Sequence, residues 1–262
     1  MPRCWREHFP FGHRWRKLER AHYGARGSGR PDSTRNHELV DVGVSDPYIK
    51  ASSTEIVMRL GTIFYNDFEL LDAYGPMEMF GALGDKIELV NIAEQAGTVK
   101  SSAGPKTVAD FGFDDAPAMD MILIPGGIGT IPELENDALI QFLKDRCPQS
   151  QVTMSVCTGS ALLAKAGLLD GMPATSNKMF FELARSQGPK VNWQESARWV
   201  DAGQYVTSSG VSAGTDMALA VIERVYGLEL AESVMNYAEY QWHRDADQDP
   251  FAALLNQGVM PE

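Results

Sequence analysis

Histidine, cysteine and long apolar runs are scarce in this chain, and each scarcity closes off a class of function. Of its five histidines, His8, His13, His22 and His37 sit near the start, leaving only His243 for the rest. A nucleophile with a histidine base needs both in one place, and His243 reads as a surface residue. Three cysteines, Cys4, Cys147 and Cys157, give an odd count with no paired spacing. That excludes a disulfide framework and fits a reducing compartment, so the expected location is the cytoplasm. No apolar stretch approaches the roughly 18 residues of a membrane span. No G-x-G-x-x-G is present, and no Lys-Ser/Thr follows the glycines at 126–129, so no phosphate-cradling loop is expected. Cys147 stands alone and the body lacks clustered histidine, so neither a metal site nor a cofactor is expected. Asp110, Asp114, Asp115 and Asp120 read as solvated loop acids. Trp193, Trp199 and Trp242 read as core or interface residues.

Charge is distributed unevenly over the 262 residues. Residues 1–36 hold nine Lys and Arg against three acidic residues, while the whole chain is −12. The remainder is therefore strongly acidic and would repel a phosphate backbone, which argues against nucleic-acid binding. Residues 1–54 read as a disordered basic leader, rich in Arg, Gly, Pro and Ser with no sustained apolar period. An Arg-rich, acid-poor start also fits a mitochondrial transit peptide, and a mis-assigned start or a plain flexible tail fits equally well.

From Glu55 onward, apolar strands alternate with amphipathic helices, the pattern of a mostly parallel α/β sheet in one domain over 55–245. Strands are expected at 57–65, 87–92, 121–124, 152–156, 191–193 and 205–208, with a hairpin over 99–108. Helices are expected at 69–83, 133–145, 159–166, 178–187, 213–226 and 230–240. Residues 246–262 read as a loosely held C-terminal tail.

Three segments carry chemistry. The strand at 152–156 runs directly into Cys157, and Thr158-Gly159-Ser160 opens a helix. This is the layout of a nucleophile elbow, in which small residues (Ser155 and Gly159) flank the nucleophile on both sides. The turn would expose the sulfur at the carboxyl edge of the sheet, and the helix N-terminus would favour thiolate. A buried structural cysteine is the plainer alternative. A second apolar strand ends in Pro125-Gly126-Gly127, whose backbone amides, with that of Thr158, are placed to form an oxyanion hole. An ordinary strand-to-helix turn is the alternative. The third segment, Leu71-Asp72-Ala73-Tyr74-Gly75-Pro76, puts Asp72 where the first strand hands over to its helix. A helix-capping role is the usual one for a lone acid there, and Glu78 reads as solvated.

Taken together, Leu-Asp-Ala-Tyr-Gly-Pro, Ile-Pro-Gly-Gly, Val-Cys-Thr-Gly-Ser and Ser-Gly-Val-Ser-Ala-Gly-Thr-Asp resemble the DJ-1/PfpI superfamily over roughly residues 57–241. Within it the chain is most similar to the isonitrile hydratase group. The resemblance implies a flavodoxin-like three-layer sandwich, akin to class I glutamine amidotransferases, and a homodimer acting on a small molecule. It implies Cys157 as nucleophile and Asp72 as acid/base. It assigns Thr158 and the Gly126-Gly127 amides to stabilising the intermediate, and Gly210-Val211 to the pocket wall. One departure concerns the other wall: Asn177-Lys178 stands where hydratase-like members commonly have His-Trp.

The implied reaction is addition of the Cys157 thiolate to an isonitrile carbon, then hydration to an N-substituted formamide with Asp72 moving the protons. Replacing Cys157 would abolish it. Two rivals share the site: a glutathione-independent hydration of methylglyoxal, and a non-enzymatic cysteine oxidation sensor. The regulator branch of the superfamily adds a DNA-binding helix pair at its C-terminus, for which the short acidic stretch after Tyr240 reads as too small.

Overall fold

The computed structural model describes residues 57–258. The expected leader at 1–54 and the last four residues lie outside them. In chain order the elements are β1 (Met58–Ile63), α1 (Leu70–Gly81), β2 (Ile87–Ile92), β3 (Gly97–Lys100), β4 (Lys106–Ala109), β5 (Met121–Ile124), α2 (Thr130–Glu133), α3 (Asp137–Arg146), β6 (Val152–Val156), α4 (Gly159–Lys165), β7 (Pro173–Ala174), α5 (Phe181–Gln187), β8 (Asn192–Trp193), β9 (Trp199–Asp201), β10 (Tyr205–Ser208), α6 (Ala213–Tyr226) and α7 (Leu228–Tyr237).

Six strands form the central sheet in the order β2-β1-β5-β6-β10-β9. All neighbours are parallel except β9, which runs antiparallel to β10 at one edge. The pleat sends alternate residues to opposite faces. Along β5, Met121 and Leu123 join one core cluster while Ile122 and Ile124 join the other. Both faces of β5 are covered, so its four residues are all buried, as expected of a continuous apolar run in a parallel sheet. The first face packs on α1, α6 and α7 through Met79, Phe80, Met217, Leu219, Ile222 and Val234. The second packs on α3 and α4 through Leu139, Leu143, Leu162 and Leu163. This is an α/β three-layer sandwich with a mostly parallel sheet.

Several expected boundaries shift for local reasons. The helix expected at 133–145 is two helices, because Asn136 caps a new one, its side chain accepting from Ala138 N at 3.0 Å and Leu139 N at 3.2 Å. The strand expected at 191–193 stands apart from the main sheet, pairing as β8 with the two-residue β7. The edge strand β9 was not expected; it is short, and its pattern of one buried, one half-buried and one exposed residue leaves little alternation to read. The expected hairpin is present as β3 and β4.

The stretch expected as a loose tail is tied to the body as far as it is described. Arg198 N donates to Ala246 O, Asp249 N to Ser196 O at 2.7 Å and Asn256 N to Lys178 O at 2.8 Å. Asp249 is buried beside two buried cations, Lys178 and Arg198, at 4.0 and 3.5 Å. Buried positive charge needs an anion, and the acidic segment supplies it. Among the described residues no helix is long and apolar enough to cross a membrane.

Candidate active site

Four strand ends converge on one spot. Asp72 follows β1, Gly126 and Gly127 follow β5, Cys157 follows β6 and Gly210 follows β10. These are central strands, and the carboxyl edge of such a sheet is where α/β proteins place their sites.

Cys157 occupies a left-handed backbone conformation, φ +59°, that non-glycine residues seldom adopt. Val211 across the site is similarly strained at φ +47°, which is costly for a β-branched residue. The elbow is held by its own backbone. Cys157 N donates to the carbonyls of Ser208 and Ser209, and its carbonyl accepts from Ser160 Oγ at 3.0 Å and Ser176 Oγ at 3.1 Å. The sulfur accepts a hydrogen bond from Asn177 Nδ2 at 3.1 Å.

Asp72 is fully buried at the start of α1. Its Oδ2 accepts the Gly126 amide at 2.9 Å, while Oδ1 has no hydrogen-bond partner. Burial pushes its pKa up to about 7, and the charge of Glu69 pushes the same way. The Gly126 amide, the Cys157 thiol and the Val211 amide draw it partly back, although neither of the last two makes a close hydrogen bond to it. The expected capping role is not what this carboxylate performs, for no side-chain cap is present on α1.

The expectation of a thiolate at the helix start is corrected. Burial, followed by the Asp72 charge, raises the Cys157 pKa well above its ordinary value, and the Thr158 amide and Asn177 only partly offset this. The helix α4 is a short one, and its field does not overcome desolvation. Burial therefore favours the protonated thiol over the thiolate.

The amides assigned to an oxyanion hole are partly committed elsewhere. Gly126 serves Asp72, and the Gly127 amide donates to Thr158 Oγ1 at 3.1 Å. Thr158 Oγ1 also lies 2.8 Å from Thr130 Oγ1, which lies 3.0 Å from the Tyr65 hydroxyl. Tyr65 in turn donates to Pro125 O at 2.6 Å. This buried chain fixes the Thr158 side chain. It escaped sequence reading because its members come from three separate segments.

A cavity of about 220 Å³ opens onto Cys157. Thr158, Asn177, Gly127 and Val211 line it, and so do Ile128, Ile131, Phe180, Leu183 and Glu69, which the sequence did not single out. Gly210 stands behind Asn177, which occupies the space a Cβ there would need. His243 is not a lining residue. Its ring approaches Gln248 O at 3.2 Å, and its backbone amide donates to Asp216. Among the described residues no group of three or more His, Cys, Asp or Glu is placed to hold a metal ion.

Comparison with known proteins agrees with this architecture. The DJ-1/PfpI family pattern matches residues 59–224. An isonitrile hydratase of Pseudomonas putida is 30% identical over 185 residues, 71% of this chain and 79% of that protein. The HTH-type transcriptional regulator GbdR of Pseudomonas aeruginosa is also 30% identical, over 72% of this chain, which spans only 52% of the regulator. Among solved structures, a ThiJ/PfpI family protein from Pseudomonas syringae superposes with a TM-score of 0.64 at 27% identity, over 78% of this chain and 84% of that one. With the family pattern running from β1 into α6 and the elbow, the buried acid and the glycine turn all on one sheet edge, the chain belongs to the DJ-1/PfpI family.

Proposed function

We propose that this protein is a cysteine-dependent hydratase that adds water to an isonitrile and releases an N-substituted formamide. The observation that carries the reading is the fully buried Asp72 carboxyl within electrostatic reach of Cys157, whose sulfur opens onto a mostly apolar cavity with no histidine in its lining. An isonitrile carries no leaving group and little polarity, so it needs a nucleophile, one proton carrier and an apolar berth.

In the proposed sequence the Asp72 carboxylate takes the thiol proton as the isonitrile carbon reaches Cys157 Sγ. The S–C bond forms, and Asp72 returns the proton to that carbon, leaving a thioimidate. Water then adds to the carbon while Asp72 carries one of its protons to nitrogen. The remaining hydroxyl proton passes to the departing sulfur, the C–S bond breaks and the formamide leaves. The other proton transfers pass through one carboxyl group, and a pKa near 7 suits both directions of transfer. Asn177 and the Thr158 amide face the sulfur and stabilise it as its charge develops. The reading takes a homodimer in the cytoplasm with a small-molecule substrate and no cofactor.

The oxidation-sensor alternative asks for an exposed, low-pKa thiol, which the buried, raised thiol of Cys157 does not match. The test is turnover of an aryl isonitrile by the full chain, with formamide followed by ultraviolet absorbance and methylglyoxal as a parallel substrate. Formamide production that disappears in Cys157→Ala supports the hydratase. Loss of methylglyoxal alone would overturn it.

A further inference from the structure

The cavity above Cys157 has one charged wall. Its apolar surface comes from Ile128, Ile131, Phe180, Leu183 and Val211, and Glu69 is the only ionisable lining residue besides the cysteine itself. Glu69 immediately precedes α1, and its backbone amide donates to Gly126 O at 2.8 Å. That bond locks it to the glycine turn facing Cys157. Glu69 is half-buried, and among the described residues its carboxylate has one hydrogen bond, a long one from Ser102 Oγ at 3.3 Å. No Lys or Arg among the described residues pairs with it. The carboxylate also acts on the site at a distance, since its charge helps to raise the Asp72 pKa.

A carboxylate with no cationic partner among the described residues, beside an apolar cavity, sets the sign of what enters. It repels an anionic substituent and attracts a cationic one, more strongly than in bulk water because the wall has a low dielectric. We infer that Glu69 is a specificity-determining residue that tunes the Cys157 cavity for isonitriles with an apolar body and a cationic end, such as an ammonium, and against carboxylate-bearing ones. The inference rests on the proposed hydratase reading for its reactive group, but the charge preference belongs to the cavity whatever the reaction.

The experiment therefore has two readouts on the full chain and on Glu69→Gln. The first compares kcat/KM for aryl isonitriles carrying a para aminomethyl, methyl or carboxylate group. The second compares the rates at which a cationic and an anionic methanethiosulfonate modify Cys157, located by peptide mass, with no turnover required. The wild-type protein should favour the cationic over the anionic member by about tenfold in both series, the scale of one charge interaction at a half-exposed site. Glu69→Gln should bring that ratio near one. A change in Asp72 acidity would move all substrates together, so the ratio isolates the wall. A ratio unchanged in Glu69→Gln overturns the inference even if isonitriles are hydrated. A ratio that collapses in the thiol series while no isonitrile is consumed upholds the charge preference and rejects the hydratase.

Discussion

Asn177 Nδ2 donates to the Cys157 sulfur at 3.1 Å, and the Asn177 Oδ1 accepts the Phe180 amide at 3.1 Å. One side chain therefore joins the nucleophile to the wall that carries Phe180. The second bond orients the amide so that its donor, not its oxygen, meets the sulfur. Asn177→Ala should slow alkylation of Cys157 by a neutral reagent and lower kcat by roughly tenfold, the worth of one hydrogen bond to a developing charge. Asn177→Asp should be worse, because it replaces the donor by a second negative charge. Equal rates for Asn177→Asp and wild type would show that the bond has no part in activating the thiol.

Asp72 links function to stability. Its folded pKa of about 7 lies above the ordinary value of 3.8, so the folded state prefers the protonated carboxyl. That contribution is fully present below pH ~4 and is lost as pH rises through about 7. Asp72→Asn cannot titrate, so its melting temperature relative to wild type should climb between pH 4 and 8, by no more than about 4 kcal/mol of stability. Its turnover should fall by roughly 10²-fold or more. Lys178, depressed to about 8 by burial, titrates at the upper edge of this window, but it does so in both proteins and drops out of the difference. Parallel stability curves for the two proteins would mean that Asp72 is not the group that titrates.

The two assigned glycines separate fold from chemistry. A Cβ at Gly126 would meet the Thr158 amide nitrogen and Oγ1 at 2.6 Å and Cys157 Cβ at 2.9 Å, atoms fixed in the elbow. Gly126→Ala should lower both thermal stability and turnover. A Cβ at Gly210 would instead press on the Asn177 side-chain amide, which can swing aside at the cost of its bond to Cys157. Gly210→Ala should melt near wild type but react like Asn177→Ala. Measured by melting temperature and kcat together, a stable and fully active Gly210→Ala would contradict the close approach.

What the sequence revealed follows the range of the forces involved. The elbow at Cys157 was legible because an apolar strand, a small residue and a helix start are neighbours in sequence. Asp72 and the glycine turn were legible for the same reason. The Cys157 pKa was not, since the helix that favours thiolate is local whereas the desolvation that outweighs it comes from several elements. Glu69 looked like any acid at a helix start until the fold turned it toward the cavity. The β6 and β10 strands fall at the expected 152–156 and 205–208, but β9 owes its existence to one antiparallel neighbour. The acidic stretch at 246–258 looked like a solvated tail because its cationic partners, Lys178 and Arg198, are far away in sequence.

Those partners make Asp249 the last testable link. Arg198 Nε donates to Asp216 Oδ2 at 2.7 Å while its Nη1, which faces Asp249, has no hydrogen-bond partner, and Lys178 Nζ donates to Thr175 Oγ1 at 2.8 Å. Asp249 adds charge balance rather than a close side-chain hydrogen bond to either, its Oδ1 accepting the Phe251 amide at 2.9 Å. Removing it leaves Arg198 with Asp216 and leaves buried Lys178 with only the exposed Glu195 acting on it. Asp249→Ala should therefore cost roughly 2–3 kcal/mol at pH 7 and open residues 246–258 to proteolysis. Asp249 props up the Lys178 pKa, so its loss lets the lysine shed its proton more readily. The folded Lys178 pKa already lies below the ordinary value, which means the penalty of holding the charge fades as pH rises through about 8. The destabilisation in Asp249→Ala should accordingly shrink between pH 7 and 9.5, as read from denaturant midpoints. A cost that stays constant over that range would assign Asp249 a role in packing the segment and none in balancing the Lys178 charge.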